Sequence, residues 1–306
     1  MDEVCVSGIG CVCAAGENVA AALDSMLAGR RNAAPPCHFT ADHQPLEPVF
    51  AVTAALDGYG SAVAPFVRTA ALARYAALQA INHCGWELDE LRSRRVGVIV
   101  GTTVGSSVDI EAFYRAYRGG ETPSLTAIDA FWRYNPAAAI QREFSFTGPA
   151  QTLLNACSSG TDAIGIGKMW LEQELCDIVL AGGADELCRT TYNGFAALQI
   201  SSTELCRPFS GDRKGLNLGE GAALLVLERR SSCQHRGATV RGVVRGYGSG
   251  SDAWHLTAPH PDGRGLRRAL DEAFAAAALT AADIDFINTH GTGTSDNDRV
   301  ECAVIA

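Results

Sequence analysis

Two short stretches of the chain hold residues that could act on a substrate. The first, NACSSGTDAIGIG over residues 155–167, sets Cys157 between a short apolar run and a predicted helix start. A helix N-terminus favours a thiolate through its partial positive charge and its free N–H groups. Ser158 and Ser159 suit a first turn, and Gly160, Gly165 and Gly167 leave little side-chain bulk behind it. Three helical glycines cost about 1 kcal/mol each relative to alanine, so tight packing between two layers, or a function, must compensate. On these residues alone Cys157 is either a nucleophile or a packed thiol, and a packed thiol is the commoner case. The second stretch, INTHGTGTSDNDRVE over residues 287–301, puts His290 directly after an apolar run. Strand ends that meet glycine-rich loops are where catalytic groups collect. Here the glycines let backbone approach a ligand, and Thr292 and Thr294 supply hydroxyls along one edge. The two stretches lie far apart in the chain, so only the tertiary fold can pair them.

The elements that must position these residues read as an alternation. A strand over 4–10 enters a glycine turn, a helix spans 16–31, and a proline-bearing loop covers 35–48. A long alanine-rich helix follows over 67–84. The run RVGVIVGTTVGSS (95–107) reads as a buried strand entering a Gly/Thr/Ser turn. Further strands are expected at 149–155, 176–187 and 221–230, with a helix after Cys157. A polar connector at 229–238 then leads to a second series: strand 240–247, helix 265–278, strand 284–289 and a helix after Thr294. Strands that are apolar throughout and alternate with helices indicate an α/β protein whose sheets are covered on both faces.

Composition narrows the classes. With 306 residues, 47% hydrophobic and 19% charged, the chain can bury a large core. A net charge of −9 without a basic run argues against a nucleic-acid surface. The first residues, MDEVCVSGIG, carry acids where a signal peptide would be basic, and no apolar run reaches membrane-spanning length. A cytoplasmic protein without membrane contact is expected. The eleven cysteines are scattered without CxxC pairs; Cys11 and Cys13 form only a C-x-C, so no metal site is expected. In a reducing compartment most of these thiols should be small buried hydrophobes. GTTVGSS lacks the G-K-[ST] ending and lysine of a phosphate loop; a backbone turn beside a pocket is the better reading.

Taken in order, NACSSGTDAIGIG, DIVLAGGADEL, RPFSGDRKGLNLGEGAALLVLE, GSGSDAWHLTAP and THGTGT with Asp298 and Glu301 resemble β-ketoacyl-acyl-carrier-protein synthases of the synthase II type, over essentially the whole chain. The resemblance implies a thiolase-like fold: two similar α/β halves in an α-β-α-β-α sandwich, here residues 1–238 and a truncated second half at 239–306. It implies that Cys157 accepts an acyl chain from an acyl carrier protein, with its own backbone N–H as one oxyanion donor. It implies that His290 supports decarboxylation of malonyl-carrier protein. Thr292 and Thr294 match positions that bind the pantetheine arm, His255 and Thr257 lie in the segment lining its tunnel, and Phe195 and the GTTVGSS turn border the acyl pocket. Asp298 and Glu301 read as supports of the histidine loop. No intrinsic cofactor is implied, since substrates ride on the phosphopantetheine of the carrier, and a homodimer or a heterodimer with a ketosynthase-like subunit is expected.

The departures are specific. Family members continue beyond the helix that ends in ECAVIA with a lysine-bearing segment, a GHxxGAAG histidine and a glycine-rich loop, so condensation is expected to need groups outside residues 1–306. Lys214 stands where many members carry an acid and Asn217 where they carry an apolar residue, which suggests a divergent branch in fatty-acid, polyene or polyketide synthesis. Two alternatives compete with an acyltransferase. A non-catalytic chain-length-factor-like partner typically lacks the cysteine, and a biosynthetic thiolase lacks the HGTGT loop.

Overall fold

The computed structural model describes residues 2–56, 68–103, 105, 108–255 and 257–306. In chain order the first elements are β1 (Val4–Cys13), α1 (Val19–Leu27), α2 (Arg68–Cys84), α3 (Leu88–Arg92), β2 (Val96–Gly101), α4 (Val108–Arg118), α5 (Thr126–Arg133), α6 (Pro136–Phe144) and β3 (Ala150–Leu153). They continue with α7 (Ser159–Glu172), β4 (Ile178–Asp185), α8 (Arg189–Ala197), β5 (Gly221–Arg229), α9 (Arg230–His235), β6 (Gly242–Val243), α10 (Arg264–Ala277) and α11 (Ser295–Ile305). The six strands form one sheet in the order β3-β2-β4-β5-β1-β6. β2 is parallel to β3 and β4, whereas β5 runs antiparallel to β4 and β1, and β1 antiparallel to β6.

Both faces of the central strands β2 and β4 are covered, which is why these read as largely apolar runs. Along β2 and β4, Val98, Val100, Ile178 and Leu180 face α2 and α6. Their neighbours Ile99, Val179 and Ala181 face α7. This is strand alternation with no polar side. The alanine face of α2 lies against β1 so closely that a Cβ on Gly10 would sit 2.0 Å from the Ala76 carbonyl oxygen. On the opposite face, Gly167 of α7 meets Val179, and a Cβ on Gly165 would fall 2.2 Å from the Tyr247 ring. Tight packing is therefore what offsets the glycine cost of α7.

Several expectations are revised. The first helix is shorter than 16–31, because the Asn18 side chain accepts from the Ala21 N–H and fixes the start. The connector 229–238 contains α9, and α4 to α6 occupy a region to which the sequence patterns assign no elements. Of the strand expected over 240–247, only Gly242 and Val243 pair, with Val6 and Cys5. Residues 284–289 form no strand, and Ile284, Phe286 and Ile287 are exposed. An apolar run becomes a strand only where neighbouring strands take its N–H and C=O groups, and none of the described strands adjoins this run. Five cysteines are buried and three half-buried, while Cys37, Cys157 and Cys302 are exposed. The expectation that most are fully buried is thus too strong. Among the described residues no helix is long and apolar enough to cross a membrane.

Candidate active site

Cys157 occupies the middle of a single 3-10 turn, Ala156–Ser158, that feeds directly into α7. The turn is forced: Ala156 has φ of +51°, a conformation that costs a non-glycine residue on the order of 1–3 kcal/mol and persists only where surroundings impose it. The surroundings are a ring of short hydrogen bonds. The Asn155 N–H donates to Ser159 Oγ at 2.7 Å, and Ser159 Oγ donates to the Ala156 carbonyl at 2.7 Å. Ser158 Oγ accepts from Asn155 Nδ2 at 3.0 Å. β2 ends immediately beneath, where a Cβ on Gly101 would lie 2.1 Å from the Ser159 carbonyl carbon.

The thiol itself is not primed as a free thiolate. Cys157 is reachable from solvent, yet it sits among protein walls that displace part of its hydration. That desolvation lifts the thiol above its ordinary value; a backbone hydrogen bond within the turn opposes the rise and the charge of Asp185 adds to it. Asp185, at the end of β4, accepts from Thr102 Oγ1 at 2.7 Å and from the Thr103 N–H at 2.8 Å. It lies inside the DIVLAGGADEL stretch, where the sequence alone assigns it no role.

The His290 loop is suspended from two buried acids of α11. Glu301 accepts from the N–H of His290 at 2.6 Å and of Gly291 at 2.8 Å. Asp298, 1% exposed, accepts from the N–H of Gly293 at 3.1 Å and of Phe209 at 2.7 Å. The two acids thus support the histidine loop by holding its backbone. Gly293 has φ of +74°, and a Cβ there would meet Cys206 Sγ at 2.6 Å, so only glycine serves. Thr292 Oγ1 and Thr294 Oγ1 share a hydrogen bond of 2.8 Å. Nδ1 of His255 accepts from the N–H of Thr257 and of Ala258, both at 3.2 Å.

These pieces meet in one cleft of about 1680 Å³, lined by all seven residues singled out from the sequence: Cys157, Phe195, His255, Thr257, His290, Thr292 and Thr294. Phe195 reaches it from α8, and the loop after β6 brings His255 and Thr257. Gly101 and Thr103 of the GTTVGSS turn also line it; Val104, Ser106 and Ser107 lie outside the described residues. The two departures are accounted for locally. Lys214 pairs with Glu204. Asn217 donates to the carbonyls of Ser202 and Glu204 and accepts from the Cys206 N–H at 2.8 Å, stitching the loop that carries Cys206. Among the described residues no group of three or more His, Cys, Asp or Glu is gathered as metal ligands.

A cysteine at a strained strand-to-helix turn, facing a histidine loop across a cleft on a covered mixed sheet, is the layout of the thiolase-like condensing enzymes. The chain belongs to the β-ketoacyl synthase family: the family's N-terminal domain matches residues 1–232 and its C-terminal domain residues 241–306. It is 32% identical to the tetracenomycin polyketide synthase ketoacyl synthase alpha subunit of Streptomyces glaucescens, over 98% of this chain and 75% of that one. It is 36% identical to nodulation protein E of Rhizobium meliloti, over 78% of this chain and 59% of that one. Among solved structures, the ishigamide ketosynthase/chain length factor superposes with a TM-score of 0.89 at 32% identity, covering 99% of this chain and 76% of that one. A ketosynthase, ApeO, in complex with its chain length factor, ApeC, from Xenorhabdus doucetiae superposes at 0.80 and 30% identity, over 99% of this chain and 75% of that one.

Proposed function

We propose that the chain carries the acyl-accepting cysteine and one histidine of a β-ketoacyl-acyl-carrier-protein synthase. The observation that carries this reading is the convergence of all seven residues on one cleft, with Cys157 at its strained turn. In the first half-reaction the Cys157 sulfur attacks the thioester carbonyl of an acyl-pantetheine. The new S–C bond replaces the old one, and the pantetheine thiol leaves with the proton that the cysteine gave up. The Cys157 backbone N–H stabilises the oxyanion. In the second half-reaction a malonyl thioester loses CO₂, and the electron pair of the broken C–C bond becomes an enolate. The imidazole of His290 stabilises charge on the thioester oxygen. The enolate carbon attacks the acyl-cysteine, expels the Cys157 thiolate and leaves a 3-oxoacyl chain, two carbons longer, on the carrier.

Thr292 and Thr294 offer hydroxyls to the pantetheine arm, the His255–Thr257 segment lines its approach, and Phe195 borders the acyl chain. The partners are an acyl carrier protein and a second ketosynthase-like subunit; two similar structures are ketosynthases named together with a chain length factor. That pairing favours a second reading, in which the chain itself is the non-catalytic subunit, but the presence of Cys157 supports the catalytic one. The test is intact-mass and radiolabel assay of the full protein with acyl- and malonyl-carrier protein. Cys157→Ala should abolish both the acyl-enzyme and condensation. His290→Ala should still acylate Cys157 while condensation falls by roughly 10²–10⁴-fold. Acylation that survives in Cys157→Ala overturns the reading.

A further inference from the structure

Asp162 is a buried acid that the reaction above does not use. It lies in the first turn of α7, 7% exposed, and its two carboxyl oxygens face different parts of the protein. Oδ2 accepts from Asn155 Nδ2 at 2.7 Å and from Ser158 Oγ at 2.9 Å, the residues bracketing the Ala156–Cys157 pair. Oδ1 accepts from the Tyr247 phenol at 2.8 Å. Tyr247 belongs to the segment after β6, and its ring lies over Gly165 one turn further along α7, where any larger residue would displace it.

We propose that Asp162 is the positioning residue of the nucleophile: it clamps Asn155 and Ser158 on either side of the strained turn and anchors both to Tyr247 of the C-terminal segment. The physical need is plain. Ala156 occupies a backbone region it would leave if released, and relaxing it would swing the Cys157 sulfur out of line with the cleft. A carboxyl group suits the task because it accepts at both ends and so satisfies donors from two segments at once. Burial of the phenol, and then its hydrogen bond to Asp162, raise Tyr247 above its ordinary value, which keeps it the donor. The inference rests on the ketosynthase reading only for the meaning of Cys157.

The test separates the two. On the full protein, iodoacetamide alkylation of Cys157 is followed by peptide mass spectrometry against pH, alongside acyl transfer from acyl-carrier protein. Asp162→Ala should slow both by about 10- to 100-fold, through kcat with KM for the carrier unchanged. Asp162→Asn should restore most of the rate, since its amide oxygen still accepts from Asn155 and Ser158 while its NH₂ donates to the phenol oxygen. Tyr247→Phe keeps the ring on Gly165 but removes the anchor, and should fall between the two; it also carries the test if Asp162→Ala does not fold. Wild-type alkylation and acylation rates in Asp162→Ala, or in Tyr247→Phe if Asp162→Ala does not fold, overturn the proposal. So does an Asp162→Asn defect as deep as that of alanine. A wild-type protein that alkylates at Cys157 but accepts no acyl group counts against the ketosynthase reading and leaves the alkylation comparison decisive for Asp162.

Discussion

At the scale of single residues, the eleven thiols divide by environment. Burial pushes Cys176 up to about 11 and Cys233 to about 12, so neither presents a thiolate near neutrality. Cys157 is accessible but also raised, by desolvation first and then by Asp185. A raised value means a smaller thiolate fraction at neutral pH, so its alkylation should climb steeply with pH and reach half-maximum above that of free cysteine. Asp185→Asn removes the charge while an amide oxygen can still accept from Thr102 and Thr103. Its alkylation midpoint should therefore move down. A midpoint that stays or rises in this variant would show that Asp185 does not act on the thiol through its charge.

At the scale of elements, Glu220 is the joint between β5, the start of α2 and the end of β4. Its fully buried side chain accepts from the N–H of Val52 at 2.9 Å and of Leu187 at 3.2 Å, and it pairs with Arg68 at 2.7 Å. Burial alone would raise its carboxyl, but the Arg68 hydrogen bond and charge and the two N–H donors outweigh this and hold it below the usual range. A depressed folded value contributes stability that is present above the ordinary glutamate value and is lost as pH falls through the folded one. The chain should thus lose stability on acidification below about pH 4. Glu220→Gln should be less stable at neutral pH by about 1–3 kcal/mol and should show a flatter acid limb in urea titrations followed over pH. An acid limb as steep as the wild type's would assign the loss to other groups, of which Glu228, held low beside Arg236 despite its burial, is the nearest analogue. The elements themselves were unevenly legible. β2, β4, β5 and α2 announce themselves because a doubly covered strand needs apolar residues on both sides, and a helix packed on β1 needs small ones. Residues 284–289 carry the same signal without becoming a strand, because pairing depends on neighbours that pattern cannot supply. Six of the seven cleft residues lie in motif stretches, and Phe195 came from the family resemblance alone. Asp162 and Asp185 lie inside those motifs but carried no role there, and Tyr247 lies just outside them, since a buried acid beside small residues looks like any capping residue until partners such as Tyr247 or Thr102, distant in sequence, are known.

At the scale of the whole molecule, the segment after residue 238 is joined to the rest along three seams. β6 extends the sheet beyond β1, Tyr247 packs on α7, and the His290 loop rests on residues 206–215. The third seam matters most for chemistry, because it fixes His290 relative to a cysteine carried by the other segment. Cys206 Sγ contacts the Thr292 carbonyl at 3.2 Å, Arg213 donates to the Ser295 carbonyl at 3.1 Å, and Arg213 also pairs with Asp298 at 3.4 Å. Asp298 is the point where these contacts converge, since its carboxyl holds one N–H from each side, Phe209 and Gly293. Removing it leaves the Phe209 and Gly293 amide donors without their acceptor, at about 1–3 kcal/mol for each that stays buried, and takes the counter-charge from Arg213. Asp298→Ala should therefore raise hydrogen exchange at the Phe209 and Gly293 amides and lower condensation. The alkylation profile of Cys157 should stay as in the wild type, because a separate set of hydrogen bonds holds the cysteine turn. If the variant slows Cys157 alkylation as much as condensation, the two loops are one cooperative unit and the separation argued from their hydrogen bonds is wrong.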